Sequence, residues 1–205
     1  MKNPLFSVIV PEHNSAEFMR KGLESVKAQT FTDYELIVVC DCEEDAKIAK
    51  EYTDDVYLIE EKFCGPKRNM GMDVARGDWI LFLDDDDWLL KDTAFQTLAD
   101  QVGKEGEDIL AFGFEWGGVG IVMNTPGNLM TAVWNKAWRR SFILDNDLRF
   151  PDWEHSDDLG FAEAAHRLAK VAFLEQALYY YNYLRPGSIQ WRLQNGELDT
   201  RIPGR

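Results

Sequence analysis

The sequence predicts an α/β domain whose mostly parallel sheet is covered by helices on both faces. Three observations predict it. Strand and helix patterns alternate through the first half, the arrangement produced by right-handed parallel crossovers. The strand-like runs, such as Trp79-Ile80-Leu81-Phe82-Leu83, are short and continuously apolar, as buried strands are. Polar groups then follow these runs at one common end, where open α/β sheets bind their ligands.

The elements follow in order. Leu5 to Val10 is apolar and β-branched and stops at Pro11. Ser15 can cap a helix to about Thr30, with Phe18, Met19, Leu23 and Val26 on one face. Tyr34–Val39 is a second buried strand, Asp45–Tyr52 a helix and Val56–Ile59 a short strand. A loop through Phe63-Cys64-Gly65-Pro66 leads into a helix over Lys67–Ala75, which Gly77 ends. Trp79–Leu83 is the fourth strand. Asp92 can cap a helix to about Val102, and Ile109–Trp116 is another strand. The second half is mixed. It has a Gly-rich stretch at 117–120, a helical patch over Trp134–Ile143 and a helix over Asp158–Leu168. Two apolar segments, Val171–Leu174 and Ala177–Leu184, precede a polar, loose tail from about Gly187.

Bulk properties narrow the function. A chain of 205 residues with 45% hydrophobic and 13% aromatic content can bury a core, and one domain is expected. A net charge of −14 offers no basic field to displace counterions from a polyanion, so nucleic acid is not an expected partner. No apolar stretch approaches the roughly 20 residues of a membrane span, and Met1–Phe6 lacks a signal-peptide apolar segment. Cys40, Cys42 and Cys64 form no even disulfide framework, and Cys-x-Cys lacks the usual zinc spacing. A soluble, cytoplasmic protein is expected.

Asp84-Asp85-Asp86-Asp87 directly follows the fourth strand. Packed carboxylates repel unless positive charge sits among them, and Mg²⁺ or Mn²⁺ with bound phosphates suits such oxygen ligands. A solvated acidic turn capping the next helix is the bland alternative. Three strand ends converge on one edge: Pro11-Glu12-His13-Asn14, Asp41 and Asp84–Asp87. Asp41 could accept from a base N–H and Asp84 from a ribose hydroxyl. In extended chain Asp86 shares a side with Asp84, which makes it the metal candidate and turns Asp85 away. Lys67 and Arg68, at a helix start, could neutralise a diphosphate.

These residues carry a resemblance. Ser7–Asn14 resembles the opening signature of family 2 glycosyltransferases, with His13 where a Tyr is usual. Glu35–Asp41 is similar to that family's second strand, Cys40 replacing the first of two aspartates. Gly65–Gly71 with Ala75–Asp78 resembles its next segment, and Trp79–Asp87 its Asp-x-Asp-Asp strand. Val133–Arg140 is similar to a segment of short bacterial and phage members, and Ser156-Asp157-Asp158 stands where the family has Glu-Asp. Leu178–Tyr181 with Pro186–Ile189 resembles the C-terminal signature. The likeness covers about residues 5–190.

The resemblance implies a GT-A fold with a Rossmann-like sheet. About 1–116 would be the nucleotide-sugar half, about 117–190 the acceptor half, and 191–205 a tail. It implies an inverting, Mn²⁺- or Mg²⁺-dependent transfer from a nucleotide-diphosphate sugar, UDP-sugars favoured, to a glycan, lipid-linked sugar or other hydroxyl acceptor. Asp158 matches the general base and Asp86 the metal ligand. Pro11, His13, Asn14, Asp41, Lys67, Arg68, Asp84 and Asp85 make up the nucleotide-sugar set. Asp87, Trp134, Lys136, His155 and Asp157 are candidate acceptor or phosphate contacts, and Asp158 could instead cap its helix. No histidine beyond His166 supplies a late metal ligand. A sugar nucleotidyltransferase would need a Gly-rich loop after the first strand, and no glycine precedes Gly22. A non-catalytic relative with the same fold is the remaining alternative.

Overall fold

The computed structural model describes residues 2–13, 15–183 and 185–202. Four parallel strands, β1 (Phe6–Pro11), β2 (Tyr34–Cys40), β3 (Val56–Leu58) and β4 (Trp79–Phe82), lie in the order β3-β2-β1-β4. The helices α1 (Ala16–Lys27), α2 (Glu43–Ala49) and α3 (Cys64–Val74) connect them. Every residue of β1 and β4 is buried, so neither strand shows alternation in its sequence. Successive side chains still divide between two cores. Val8, Val10, Leu36, Val38 and Leu81 join Met19, Leu23 and Val26 of α1 on one face. Ile9, Ile37, Val39, Ile80 and Phe82 join Met72 and Ala75 on the other. Gly71 allows α3 to lie directly on β1: a Cβ there would stand 2.4 Å from Ile9 Cγ2.

The later elements are β5 (Trp88–Leu89), α4 (Ala94–Ala99), β6 (Ile109–Trp116), β7 (Gly120–Val122), β8 (Lys136–Arg139), α5 (Arg140–Asp145), α6 (Asp157–His166), β9 (Val171–Tyr181) and α7 (Ile189–Gln194). They extend the sheet past β4 in the order β8-β6-β9-β5, with β7 paired to β6. β8 is antiparallel to both β4 and β6, and β9 is parallel to β6. No helix among the described residues is long and apolar enough to cross a membrane.

Several expectations are corrected. The helical patch over Trp134–Ile143 is instead strand β8 followed by α5. β8 fills the slot between β4 and β6, and its Ala137 and Trp138 enter opposite cores, which hides the period of two. The two apolar segments at 171–184 are one strand through Tyr181, with register shifts opposite Gly113. Thr93, not Asp92, holds the N-cap position of α4. Ser15 holds that of α1 without a side-chain cap bond, because its hydroxyl donates to Glu12. The tail is not wholly loose: Ser188 Oγ accepts from Trp191 N–H and starts α7.

Candidate active site

A cavity of about 520 Å³ opens beside the carboxyl ends of β1 and β4. Pro11, Arg68, Asp84, Asp85 and Asp86 reach it from the first half of the chain, and Trp116, Trp134, Asp157, Asp158 and Tyr181 from the second. Asn14 lies outside the described residues.

The aspartate run does not stay extended. Asp87 N–H donates to the Asp84 carbonyl at 3.1 Å, closing a turn. Asp84, Asp85 and Asp86 therefore all border the cavity, and the expectation that Asp85 turns away is corrected. Each has a separate partner. Asp84 Oδ1 accepts from Arg68 Nη2 at 2.6 Å, Asp85 Oδ2 from the His13 N–H at 2.7 Å, and Asp86 Oδ2 from Arg185 Nε at 2.5 Å. Asp87 is the one that turns inward. It is fully buried and accepts from Tyr179 Oη and Asn182 N–H, both at 2.7 Å. It braces the loop and does not reach an acceptor.

Arg68 joins the two halves. Its guanidinium meets Asp84, Asp157 at 2.5 Å and Asp158 Oδ1 at 3.1 Å. Burial works against its charge, and Asp158, Asp157 and Asp84 outweigh burial and hold it firmly protonated. Asp157 is thus tied to Arg68, almost fully buried. Lys67 behaves differently from its neighbour. It is fully buried, and Nζ donates to Asp41 Oδ2 at 2.9 Å and to the carbonyls of Glu12 and Lys62. With three acceptors for three protons, it supports Asp41 and has no proton left for a diphosphate. Burial raises the Asp41 pKa, but Lys67 and His13 outweigh it and the net shift is downward. His13 Nδ1 lies 2.5 Å from the same Asp41 oxygen.

Lys136 is also corrected. It is fully buried, donating to the Met130 and Ala132 carbonyls and to Asn135 Oδ1 at 2.6–2.8 Å. It shapes the loop before β8, and neither phosphate nor acceptor is its partner. Burial lowers its pKa to about 7. His155 bonds Ser156 Oγ and the Asp199 carbonyl, pinning the tail, and does not line the cavity. Trp134 does line it, stacked between Tyr179 (4.6 Å between centroids) and Tyr181 (5.1 Å). Tyr179, Tyr181 and Tyr183 were missed as site residues. The period-two spacing of Tyr179 and Tyr181, which puts them on one side of β9, was the available signal, and Tyr183 follows in the turn beyond that strand.

Asp158 stands in the first turn of α6. The N-cap residue before that turn, Ser156, holds the left-handed conformation at φ 62° and makes no side-chain cap bond. Asp158 is no cap either, since its Oδ2 accepts from Val133 N–H at 3.1 Å. Its Oδ1 is buried and has no hydrogen bond, although Arg68 Nη1 provides charge beside it. Burial pushes its pKa up to about 7, with Arg68 opposing and Asp157 and Asp84 adding to the rise.

The residues fit a divalent cation at Asp86. Burial, then Asp85 and Asp84, push the Asp86 pKa up to about 7 although Arg185 opposes them, so a further positive charge beside it would be favoured. Mg²⁺-type ions bind through one or two carboxylates plus phosphates and water. Among the described residues the one carboxylate-thiol trio with ligand atoms within 4.8 Å is Asp41, Cys42 and Asp45. Protein partners already satisfy it: Cys42 Sγ donates to Asp45, and Asp41 is held by Lys67 and His13.

A family model described as Glycosyl transferase family 2 matches residues 7–162. The chain belongs to glycosyl transferase family 2. This family 2 chain is 31% identical over 211 residues to a Bacillus subtilis (strain 168) protein named "Putative glycosyltransferase EpsH", the match covering 88% of this chain and 61% of that protein. It is 28% identical over 206 residues to the Staphylococcus aureus poly(ribitol-phosphate) beta-N-acetylglucosaminyltransferase TarS, covering 89% and 36%. The crystal structure of S. aureus TarS 1-349 in complex with UDP-GlcNAc superposes with a TM-score of 0.81 at 26% identity, covering 91% of this chain and 60% of that one. The fold is GT-A. The chain thus spans less than two thirds of the length of these relatives.

Proposed function

We propose that the chain transfers a sugar from a nucleotide-diphosphate sugar, a UDP-sugar by preference, to an acceptor hydroxyl with inversion at the anomeric carbon. The observation that carries this reading is Asp158 Oδ1, a buried carboxylate oxygen without a hydrogen bond beside the cavity that Asp84–Asp86 border. A hydroxyl is a poor nucleophile until a base takes its proton. Asp158 takes that proton as the acceptor oxygen bonds to the anomeric carbon. The bond from that carbon to the phosphate oxygen breaks, and the nucleoside diphosphate leaves with the electron pair. Asp157 and Arg68 hold the base in place, and Val133 N–H fixes its other oxygen.

The donor set supports the same reading. Asp41, braced by Lys67 and His13, serves the nucleobase, with Pro11 alongside. Asp84 serves the ribose and Asp85 orders the turn around His13. Asp86 would hold Mn²⁺ or Mg²⁺, which when bound offsets the charge developing on the leaving diphosphate. Two similar structures support the donor class: TarS was solved with UDP-GlcNAc, and the mannosyltransferase PcManGT of Pyrobaculum calidifontis, alike in fold at TM-score 0.71, with GDP-Man and Mn²⁺.

The test is release of nucleoside diphosphate from a panel of UDP- and GDP-sugars with mixed hydroxyl acceptors, with and without EDTA. Turnover with Mn²⁺ or Mg²⁺ that EDTA abolishes is expected. Full turnover in EDTA would refute the role of Asp86.

A further inference from the structure

We infer that the acceptor is a neutral sugar, docked by the face of a terminal pyranose on an aromatic wall, and not a phosphate polymer. The inference rests on the transferase reading above and concerns the far side of the same cavity.

The wall is built from the ends of β6 and β9, the loop before β8 and the turn after β9. Trp134 is almost fully buried between Tyr179 and Tyr181. Tyr181 leads outward to Trp116 at 6.4 Å and Tyr183 at 5.7 Å, and Trp116 meets Tyr183 edge-on at 5.0 Å. Tyr181, Trp116 and Tyr183 are half-buried and line the cavity. The row therefore runs from core to mouth and presents ring surface to whatever enters. Asp158 adjoins it, because its Oδ2 is bound to Val133 N–H, next in sequence to Trp134.

Charge decides which acceptor fits. Five carboxylates line the cavity: Asp84, Asp85, Asp86, Asp157 and Asp158. Among the described residues that line it, Arg68 is the single cation, and three of those carboxylates already hold it. The nearby Lys136 has its three protons on protein oxygens. Arg185, beside the cavity, is taken up by Asp86 and Asp85, so a phosphate at the aromatic end would meet mainly repulsion, in a chain of net charge −14. The electron-rich ring faces instead suit the polarised C–H face of a pyranose.

The test uses the full chain and saturation-transfer NMR, which needs no turnover. The probes are methyl β-glucopyranoside, methyl β-galactopyranoside, methyl N-acetyl-β-glucosaminide and a ribitol-phosphate oligomer, each with and without uridine diphosphate and diamagnetic Mg²⁺. At least one pyranoside should bind, its ring C–H protons showing the strongest transfer, and the phosphate oligomer should bind more weakly. Trp116→Ala and, separately, Tyr183→Ala should weaken pyranoside binding about tenfold, and Trp116→Phe should restore most of it. No pyranoside binding, stronger binding of the phosphate oligomer, or unchanged affinity in both alanine variants would overturn the inference. Calorimetry with UDP-sugars separates the two readings. Pyranoside binding without nucleotide binding would refute the transferase reading and leave the aromatic site standing.

Discussion

The two sides of the cavity are built on different physics. On the proposed donor side the carboxylates are paired: Asp84 with Arg68 and Asp86 with Arg185 at the cavity, and Asp41 with Lys67 behind it. On the proposed acceptor side the surface is a row of rings, and of the two carboxylates there Asp157 is bound to Arg68 while Asp158 keeps an oxygen without a hydrogen bond. Pairing fixes geometry. Burial raises Asp86 and Asp158 alike to about 7, and the two differ in that Asp86 accepts a guanidinium hydrogen bond while Asp158 Oδ1 accepts none. The contrast teaches that the cations of this site serve mainly to position acids, and that Arg68 is the hinge of that arrangement because it touches both sides.

The predictions probe that contrast, from the largest effect downward. Asp158→Asn should cut transfer by about 10²- to 10⁴-fold, as expected for loss of a general base. Donor affinity by calorimetry should stay close to wild type. Unchanged transfer would place the base elsewhere. Arg68→Met should destabilise the fold by about 3–5 kcal/mol, since it strands Asp84, Asp157 and Asp158 in a mostly buried site. Urea unfolding measures this, and a loss under about 1 kcal/mol would show that the acids do not need Arg68.

Lys136→Met tests the other buried cation. It leaves three oxygens of the 130–135 segment without a donor and should cost about 1–3 kcal/mol, read as a lower Tm. The smallest effect is on the pH profile. The base works deprotonated, and burial raises Asp158 to about 7, so kcat/KM should be full above that pH and fall about tenfold per unit below it. A profile flat down to pH 5 would contradict the buried setting of Asp158.

Legibility followed the same division. The parallel half could be read because its strands are continuous apolar runs whose ends carry the polar groups. Pro11, Asp41 and Asp84 stand at or just beyond the strand ends predicted for them. Lys67 and Arg68 could not be told apart, although they are adjacent. On the helix α3 one points under β1 and β2 toward Asp41, and the other toward α6. Lys136 misled for a similar reason: a lysine next to tryptophans reads as surface chemistry until the carbonyls that surround it are known. Strand β8 was mistaken for a helix because both of its faces are buried.

By itself the sequence determined the order of elements in the parallel half, the carboxyl-edge location of the acids and the family, because these depend on local apolar patterning and on motif order. The tertiary structure alone decided which acids face the cavity, which cations are already used, and that Tyr181, Tyr183 and Trp116 share a wall. Those facts depend on contacts between residues tens of positions apart, such as Arg68 with Asp157 and Asp87 with Tyr179. Burial and pairing belong to the assembled neighbourhood, so no stretch of sequence read alone contains them.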